Sequence, residues 1–217
     1  MTTLLSGPSQ PPAAGGVPKQ LIVFLHGYGA DGADLLGLSA FFAPVLPHAA
    51  FVAPNAPEPT SMGFGHQWFG LTSFAPELIA AGIAKSAPLL DGFIDRELAA
   101  RGLAPSQLGI IGFSQGTMMA LDRATRLAHS AAAVVGFSGL LSEPAASLPQ
   151  EAKRAPILLV HGVDDNMVPF SRMAIAEAAL KVKGFSVETM ARPGLGHGID
   201  PEGAARAAQF LAAHLGQ

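Results

Sequence analysis

Three residue types spread along the chain could together move a proton during acyl transfer: a serine in a glycine-flanked turn, histidines followed by glycine, and paired aspartates after an apolar run. Gly112-Phe113-Ser114-Gln115-Gly116 is a Gly-x-Ser-x-Gly pentapeptide between the apolar run Leu108–Ile111 and a helical pattern beginning at Gln115. Such a strand–turn–helix crossing lifts a serine hydroxyl above a sheet edge, where the strand and helix backbones nearly touch. Gly112 and Gly116 remove the side chains that would block that approach. The start of a helix has free amides, so the N–H of Gln115 is expected to face a developing oxyanion. An ordinary tight turn with an inert serine is the competing reading of the pentapeptide alone.

A base and an orienting acid should follow the serine in the chain. His26, His161 and His197 each precede glycine just past an apolar run. Only His197 lies after the serine on a glycine-rich loop beyond the last strand, Gly194-Leu195-Gly196-His197-Gly198. His26 and His161 are read as structural. Between serine and His197 the segment His161-Gly162-Val163-Asp164-Asp165-Asn166-Met167-Val168-Pro169 offers two carboxylates. Either aspartate qualifies chemically, and the other would serve a turn or a helix cap.

Gly27-Tyr28-Gly29-Ala30-Asp31-Gly32 supports two readings. As Gly-x-Gly-x-x-Gly after a strand it fits a dinucleotide fingerprint, but the expected acidic residue about 20 positions on is replaced by Pro54-Asn55-Ala56-Pro57. In an acyl-transfer site the same loop would wrap beneath the substrate carbonyl and present the Tyr28 amide as a second oxyanion donor. Asp31 and Asp34 would then favour the dipole of the next helix.

These loops need a scaffold. Leu21–Leu25, Ala50–Ala53, Leu108–Ile111, Ala133–Val135, Ile157–Val160 and Phe185–Met190 read as strands. Helical patterns cover about Ala33–Phe42, Pro76–Arg101 with a bend near Pro88, Gln115–Ala128, Ser171–Lys181 and Pro201–Leu215. Continuous apolar strands separated by helices predict an α/β architecture, a mostly parallel central sheet covered by helices on both faces. Residues 1–20, rich in Pro, Gly and Ala, are expected to be a flexible lead-in without regular structure, and residues 21–217 one domain.

Bulk properties narrow the partners. The 217 residues are 49% hydrophobic and 13% charged, with a formal net charge of −3 and scattered Lys and Arg. A polyanion partner such as nucleic acid is therefore not expected. The absence of cysteine excludes disulfides and thiolate chemistry. No run approaches the ~18 apolar residues of a membrane span. The N-terminus does not read as a signal peptide, so a cytoplasmic location is expected.

Leu25-His26-Gly27-Tyr28-Gly29-Ala30-Asp31-Gly32, Pro54-Asn55-Ala56-Pro57, Gly112-Phe113-Ser114-Gln115-Gly116, His161-Gly162-x-x-Asp165-x-x-Val168-Pro169 and Gly196-His197-Gly198-Ile199 together resemble the phospholipase/carboxylesterase family. That family includes small bacterial carboxylesterases and acyl-protein thioesterases. The similarity runs from about Leu21 to the C-terminus with order and spacing kept. It implies an α/β-hydrolase fold and a Ser114, Asp165, His197 triad. Asp165 is favoured because it is the fifth residue of the His-Gly-x-x-Asp pattern. The resemblance also implies an oxyanion hole made by the amides of Tyr28 and Gln115.

Members cleave short- to medium-chain carboxylic esters, and some cleave thioesters or lysophospholipids. The expectation is thus a serine carboxylesterase, monomer or homodimer, acting on a small-molecule ester without cofactor or metal. A catalytically silent binding protein of the same fold is the alternative. Trp68-Phe69 matches the family's aromatic pair, but Gly70 stands where an aspartate often follows. Met62, Phe64, Trp68, Phe69, Leu71 and Phe74 are expected to line an apolar acyl pocket, unless they merely cover the sheet edge.

Overall fold

In the computed structural model, which describes residues 4–71, 73, 75–126, 131–142 and 154–215, alternation of side chains along each strand divides the apolar residues between two cores. Leu21, Val23 and Leu25 face one core, whereas Ile22 and Phe24 face the other. This is the period-2 consequence of the pleat, and it explains why the runs are apolar throughout.

The elements follow in chain order. Strand β1 (Ser9–Gln10) precedes β2 (Gln20–Leu25), the short helices α1 (Gly32–Leu36) and α2 (Ser39–Phe42), and β3 (Ala49–Val52). A small hairpin, β4 (Glu58–Pro59) and β5 (His66–Gln67), leads to the long α3 (Pro76–Arg101). Then come β6 (Leu108–Phe113), α4 (Gln115–Arg126), β7 (Ala133–Phe137), β8 (Ile157–Gly162), α5 (Ser171–Val182), β9 (Val187–Arg192) and α6 (Pro201–His214). The main sheet has seven strands in the order β1-β3-β2-β6-β7-β8-β9. All neighbours in it pair in parallel except β1, which is antiparallel to β3. The α/β-hydrolase architecture is thus present.

Three local differences from expectation have physical causes. The helix expected over Ala33–Phe42 is two pieces, because the amides of Leu38 and Phe41 take carbonyls three residues back and tighten the chain there. Helix α3 runs unbroken through Pro88, which lies on its exposed face together with Ala84, whose carbonyl loses its partner to the proline ring. The last two residues of the expected span Gln115–Ala128 lie outside the described residues.

The lead-in is the third difference. Ser9 and Gln10 pair with Val52 and Phe51, Leu5 is buried, and Arg96 donates to the Leu5 carbonyl. Regular structure therefore begins within residues 1–20, where none is expected from so many prolines. An edge strand tolerates them because one side of it needs no ladder partner.

Candidate active site

The strands β6, β7 and β8 extend past their apolar runs, and their C-terminal ends deliver the loops of interest to one edge of the sheet. Ser114 follows β6 immediately and adopts φ = 53°. A non-glycine residue in this left-handed region costs about 1–2 kcal/mol, and here the surroundings enforce it. Its amide donates to the Phe137 carbonyl at 2.9 Å. A methyl group on Gly112 would overlap the Gly116 carbonyl, and one on Gly116 would overlap the Leu25 carbonyl. Both glycines are required by backbone contact, as the crowding argument anticipates. The Thr117 hydroxyl sits between the carbonyls of Gly112 and Phe137 at 2.8 and 2.7 Å, pinning helix α4 to two strands.

The other two loops are laced to each other. The amides of Val163 and Asp164 donate to the carbonyls of Arg192 and Leu195, and Gly162 has no room for a side chain against Leu195 and Gly196. At the base of the second loop Arg192 Nε donates to Asp200 Oδ2 at 2.8 Å, while Asp200 Oδ1 caps helix α6 through the Gly203 amide. Held this way, His197 Nε2 lies 3.0 Å from Ser114 Oγ and His197 Nδ1 lies 2.8 Å from Asp165 Oδ2. Asp165 Oδ1 accepts the amides of Met167 and Val168, each at 2.9 Å. Asp164 is exposed, and among the described residues it contributes its backbone, through the amide bond to Leu195.

Burial by itself would raise the Asp165 carboxyl. The hydrogen bond from His197 and those from the Val168 and Met167 amides outweigh it and hold the group below the usual carboxylate range. An anion fixed opposite Nδ1 leaves Nε2 free to accept a proton from the serine hydroxyl. The arrangement can therefore raise the nucleophilicity of Ser114 at neutral pH.

Tyr28 lies in the loop after β2 and Gln115 opens helix α4, the two places expected to hold an oxyanion. Among the described residues no partner takes the amide of either one. The loop of Tyr28 is clamped by the hairpin: the Gly29 amide donates to the His66 carbonyl, and the His66 amide to the Ala30 carbonyl. The same loop fits a dinucleotide poorly. The amides opening helix α1 are already taken, Gly32 by Asn55 Oδ1 and Asp34 by Asp31 Oδ1 in a capping box. A pyrophosphate would have to displace both.

The expected acyl-pocket residues separate into two groups. Trp68 is 0% and Phe69 2% exposed, so both belong to the core and have no surface to give an open pocket. The hydrogen bonds explain that burial. The Trp68 indole N–H donates to the His26 carbonyl at 2.9 Å, its amide donates to Gln115 Oε1 at 2.8 Å, and Gln115 Nε2 donates to the Phe69 carbonyl at 2.7 Å. Trp68 thereby ties the Tyr28 loop to the serine turn. Ser86 Oγ donates to the Trp68 carbonyl and completes the anchorage.

Met62 and Phe64, in contrast, are 47% and 66% exposed at the hairpin tip, and Leu71 is partly buried against the core. A Cβ on Gly29 would sit 2.7 Å from Met62 Cε, so the thioether lies over the loop backbone. Phe74 lies outside the described residues.

Several contributors have no local signature. The side chain of Gln115 bonds residues 47 and 46 positions away, whereas its place after the serine points only to its amide. His26 is fully buried, with Nε2 accepting the Ala56 amide at 3.0 Å and Nδ1 donating to the Gly27 carbonyl at 2.8 Å. Its structural reading holds. Burial, and secondarily the neighbouring His66, push its imidazole below the ordinary histidine value despite the Gly27 bond.

Comparison with known proteins follows the same outline. The family model described as phospholipase/carboxylesterase matches residues 13–215. The esterase YpfH of Escherichia coli (strain K12) is 29% identical over 198 residues, covering 91% of this chain and 82% of its own. Acyl-protein thioesterase 1 of Schizosaccharomyces pombe is 31% identical over 192 residues, covering 83% and 84%. The crystal structure of esterase PE8 aligns with a TM-score of 0.91 at 37% identity, covering 98% of this chain and all of that one.

Proposed function

The chain belongs to the phospholipase/carboxylesterase family, and from that membership we propose that this carboxylic ester hydrolase works through an acyl-serine on Ser114, with His197 as base and Asp165 as the orienting acid. The observation that carries the reading is the connected path from Ser114 Oγ to His197 Nε2 at 3.0 Å and from His197 Nδ1 to Asp165 Oδ2 at 2.8 Å.

His197 Nε2 takes the Ser114 proton as Oγ attacks the ester carbonyl carbon, and the charge on the carbonyl oxygen goes to the amides of Tyr28 and Gln115. The imidazolium so formed faces the Asp165 carboxylate. It returns the proton to the departing alcohol or thiol, leaving the acyl group on Oγ. Water then repeats the sequence against the acyl-serine, with His197 again taking and returning one proton.

Short- to medium-chain acyl esters suit an apolar surface beside the site, where Met62 lies over Gly29 of the Tyr28 loop and Phe64 is exposed at the same hairpin tip. Thioesters and lysophospholipids present the same carbonyl and are further members of this substrate class.

Incubation with a fluorophosphonate should add one mass increment that maps to the peptide bearing Ser114, and p-nitrophenyl butyrate hydrolysis should vanish with labelling. Unlabelled Ser114 in protein that still releases p-nitrophenol would defeat the proposal. A silent binding protein would show neither labelling nor release.

A further inference from the structure

We propose that His161 is a positioning residue for Asp165, acting through the N–H of its Nε2; this rests on reading Ser114, His197 and Asp165 as the proton path. His161 is the fifth residue of β8 and only 2% exposed. Its Nε2 lies 2.9 Å from the Val168 carbonyl oxygen. A carbonyl has no proton to offer, so Nε2 must be the donor. The same nitrogen is 3.2 Å from Asp165 Oδ2, the oxygen that also accepts from His197 Nδ1.

Val168 is consequently held through both of its flanking peptide groups. Its amide goes to Asp165 Oδ1 and its carbonyl to His161. Rotation of the Asp165 carboxylate away from His197 would break bonds at Met167 and Val168 that His161 keeps in place. The Phe170 ring stands edge-on to the imidazole at 6.0 Å between centroids and limits turning of the ring itself. The contrast with His26 is informative, since among the described residues the ring nitrogens of that imidazole bond backbone, at Gly27 and Ala56. His161 alone of the two abuts a carboxylate. An N–H dipole beside Oδ2 also favours the ionised carboxyl that His197 requires.

The test compares His161→Leu, which removes the donor, with His161→Gln, whose amide N–H₂ has nearly the reach of Nε2. With p-nitrophenyl butyrate, kcat of the Leu variant should fall about 10- to 100-fold, the scale of a misplaced catalytic group, with KM within about twofold. The Gln variant should stay within about threefold of wild type. The far-downfield proton signal of the His197–Asp165 hydrogen bond should move or broaden in the Leu variant and persist in the Gln variant. A folded Leu variant with unchanged kcat and signal would overturn the proposal, as would equal losses in both variants.

Imidazole nitrogen NMR of the unmodified protein decides the matter even if no variant folds. The Nε2–H tautomer at His161 is expected, and a proton on Nδ1 alone would refute the assignment. Asp165→Asn measured alongside separates the two levels. Full activity in that variant would remove the triad reading itself rather than only the role of His161.

Discussion

The serine turn at residues 112–116 and the segment at residues 58–71 both border the site and both carry glycines, yet they behave differently. In the turn, each glycine lies against backbone from another element: Gly112 against Gly116 and Gly116 against Leu25. That constraint belongs to the strand–turn–helix connection, so it is written in the pentapeptide and its neighbours. In the second segment the aromatic and apolar residues look alike in sequence but part company in space. Trp68 and Phe69 enter the core, while Met62 and Phe64 remain at the surface. What sorts them is contact with distant residues, His26 and Gln115 above all. Backbone crowding is locally encoded, whereas the fate of a large apolar side chain is a property of the assembled fold.

Substitutions should separate the two regions most sharply at the proton path. Ser114→Ala is expected to lose at least about a thousandfold in kcat, and Asp165→Asn about 10⁴-fold, with little loss of stability. Asp164→Asn should stay within about twofold, since that side chain is exposed. A steady-state comparison of the three decides the assignment, and a reversed ranking of the aspartates would transfer the acid to position 164.

In the second segment the expected losses are of stability first. Trp68→Ala should cost about 3–5 kcal/mol by denaturant unfolding, in line with other buried large-to-small changes. Trp68→Phe removes the donor to the His26 carbonyl and should cost about 1–3 kcal/mol. Where the Phe variant folds, its kcat should also drop, because the Tyr28 loop has lost one tie to the serine turn. Unchanged turnover in that variant would confine Trp68 to packing.

At the exposed tip the pattern should reverse. Met62→Ala and Phe64→Ala should change stability by no more than about 0.5 kcal/mol. They should raise KM severalfold for the longer acyl chains and less for acetate esters, as lost apolar contact scales with the methylenes covered. A chain-length series measures this, and an unaltered profile would place the acyl group elsewhere.

The smallest effect is in pH. His26 is kept neutral by burial, so the unfolded chain takes up a proton below the ordinary histidine value of 6.5 that the folded chain resists. Its contribution to stability is complete above that value and shrinks as the pH falls toward the lowered native value. Asp165, also depressed, adds its own loss below the ordinary carboxylate value of 3.8. Unfolding free energies between pH 7 and 5 should show the first decline, and His26→Gln should flatten it.

The scaffold was legible wherever a periodic pattern carries it. Six apolar runs became six parallel strands, with ends displaced by a residue or two because ladder pairing, such as Phe113 with Phe137, extends past the apolar stretch. The strand at Ser9–Gln10 was not legible, since proline-rich composition argues against regular structure and only the free edge of β3 makes it possible. The positioning role of His161 is not legible in the sequence for a similar reason. Nothing in a His-Gly pair reveals that a turn seven residues on will bring the Val168 carbonyl against the ring.

From the amino acids alone came the order of elements, the serine turn and a shortlist of bases and acids, because period, glycine placement and chain order act over a few residues. Three-dimensional packing decided which aspartate faces His197, which aromatics are interior, and how the Tyr28 loop is held. Those outcomes depend on hydrogen bonds and contacts between segments 30 to more than 80 positions apart, such as Asp165 to His197 and His197 to Ser114. Only the assembled sheet makes such segments neighbours.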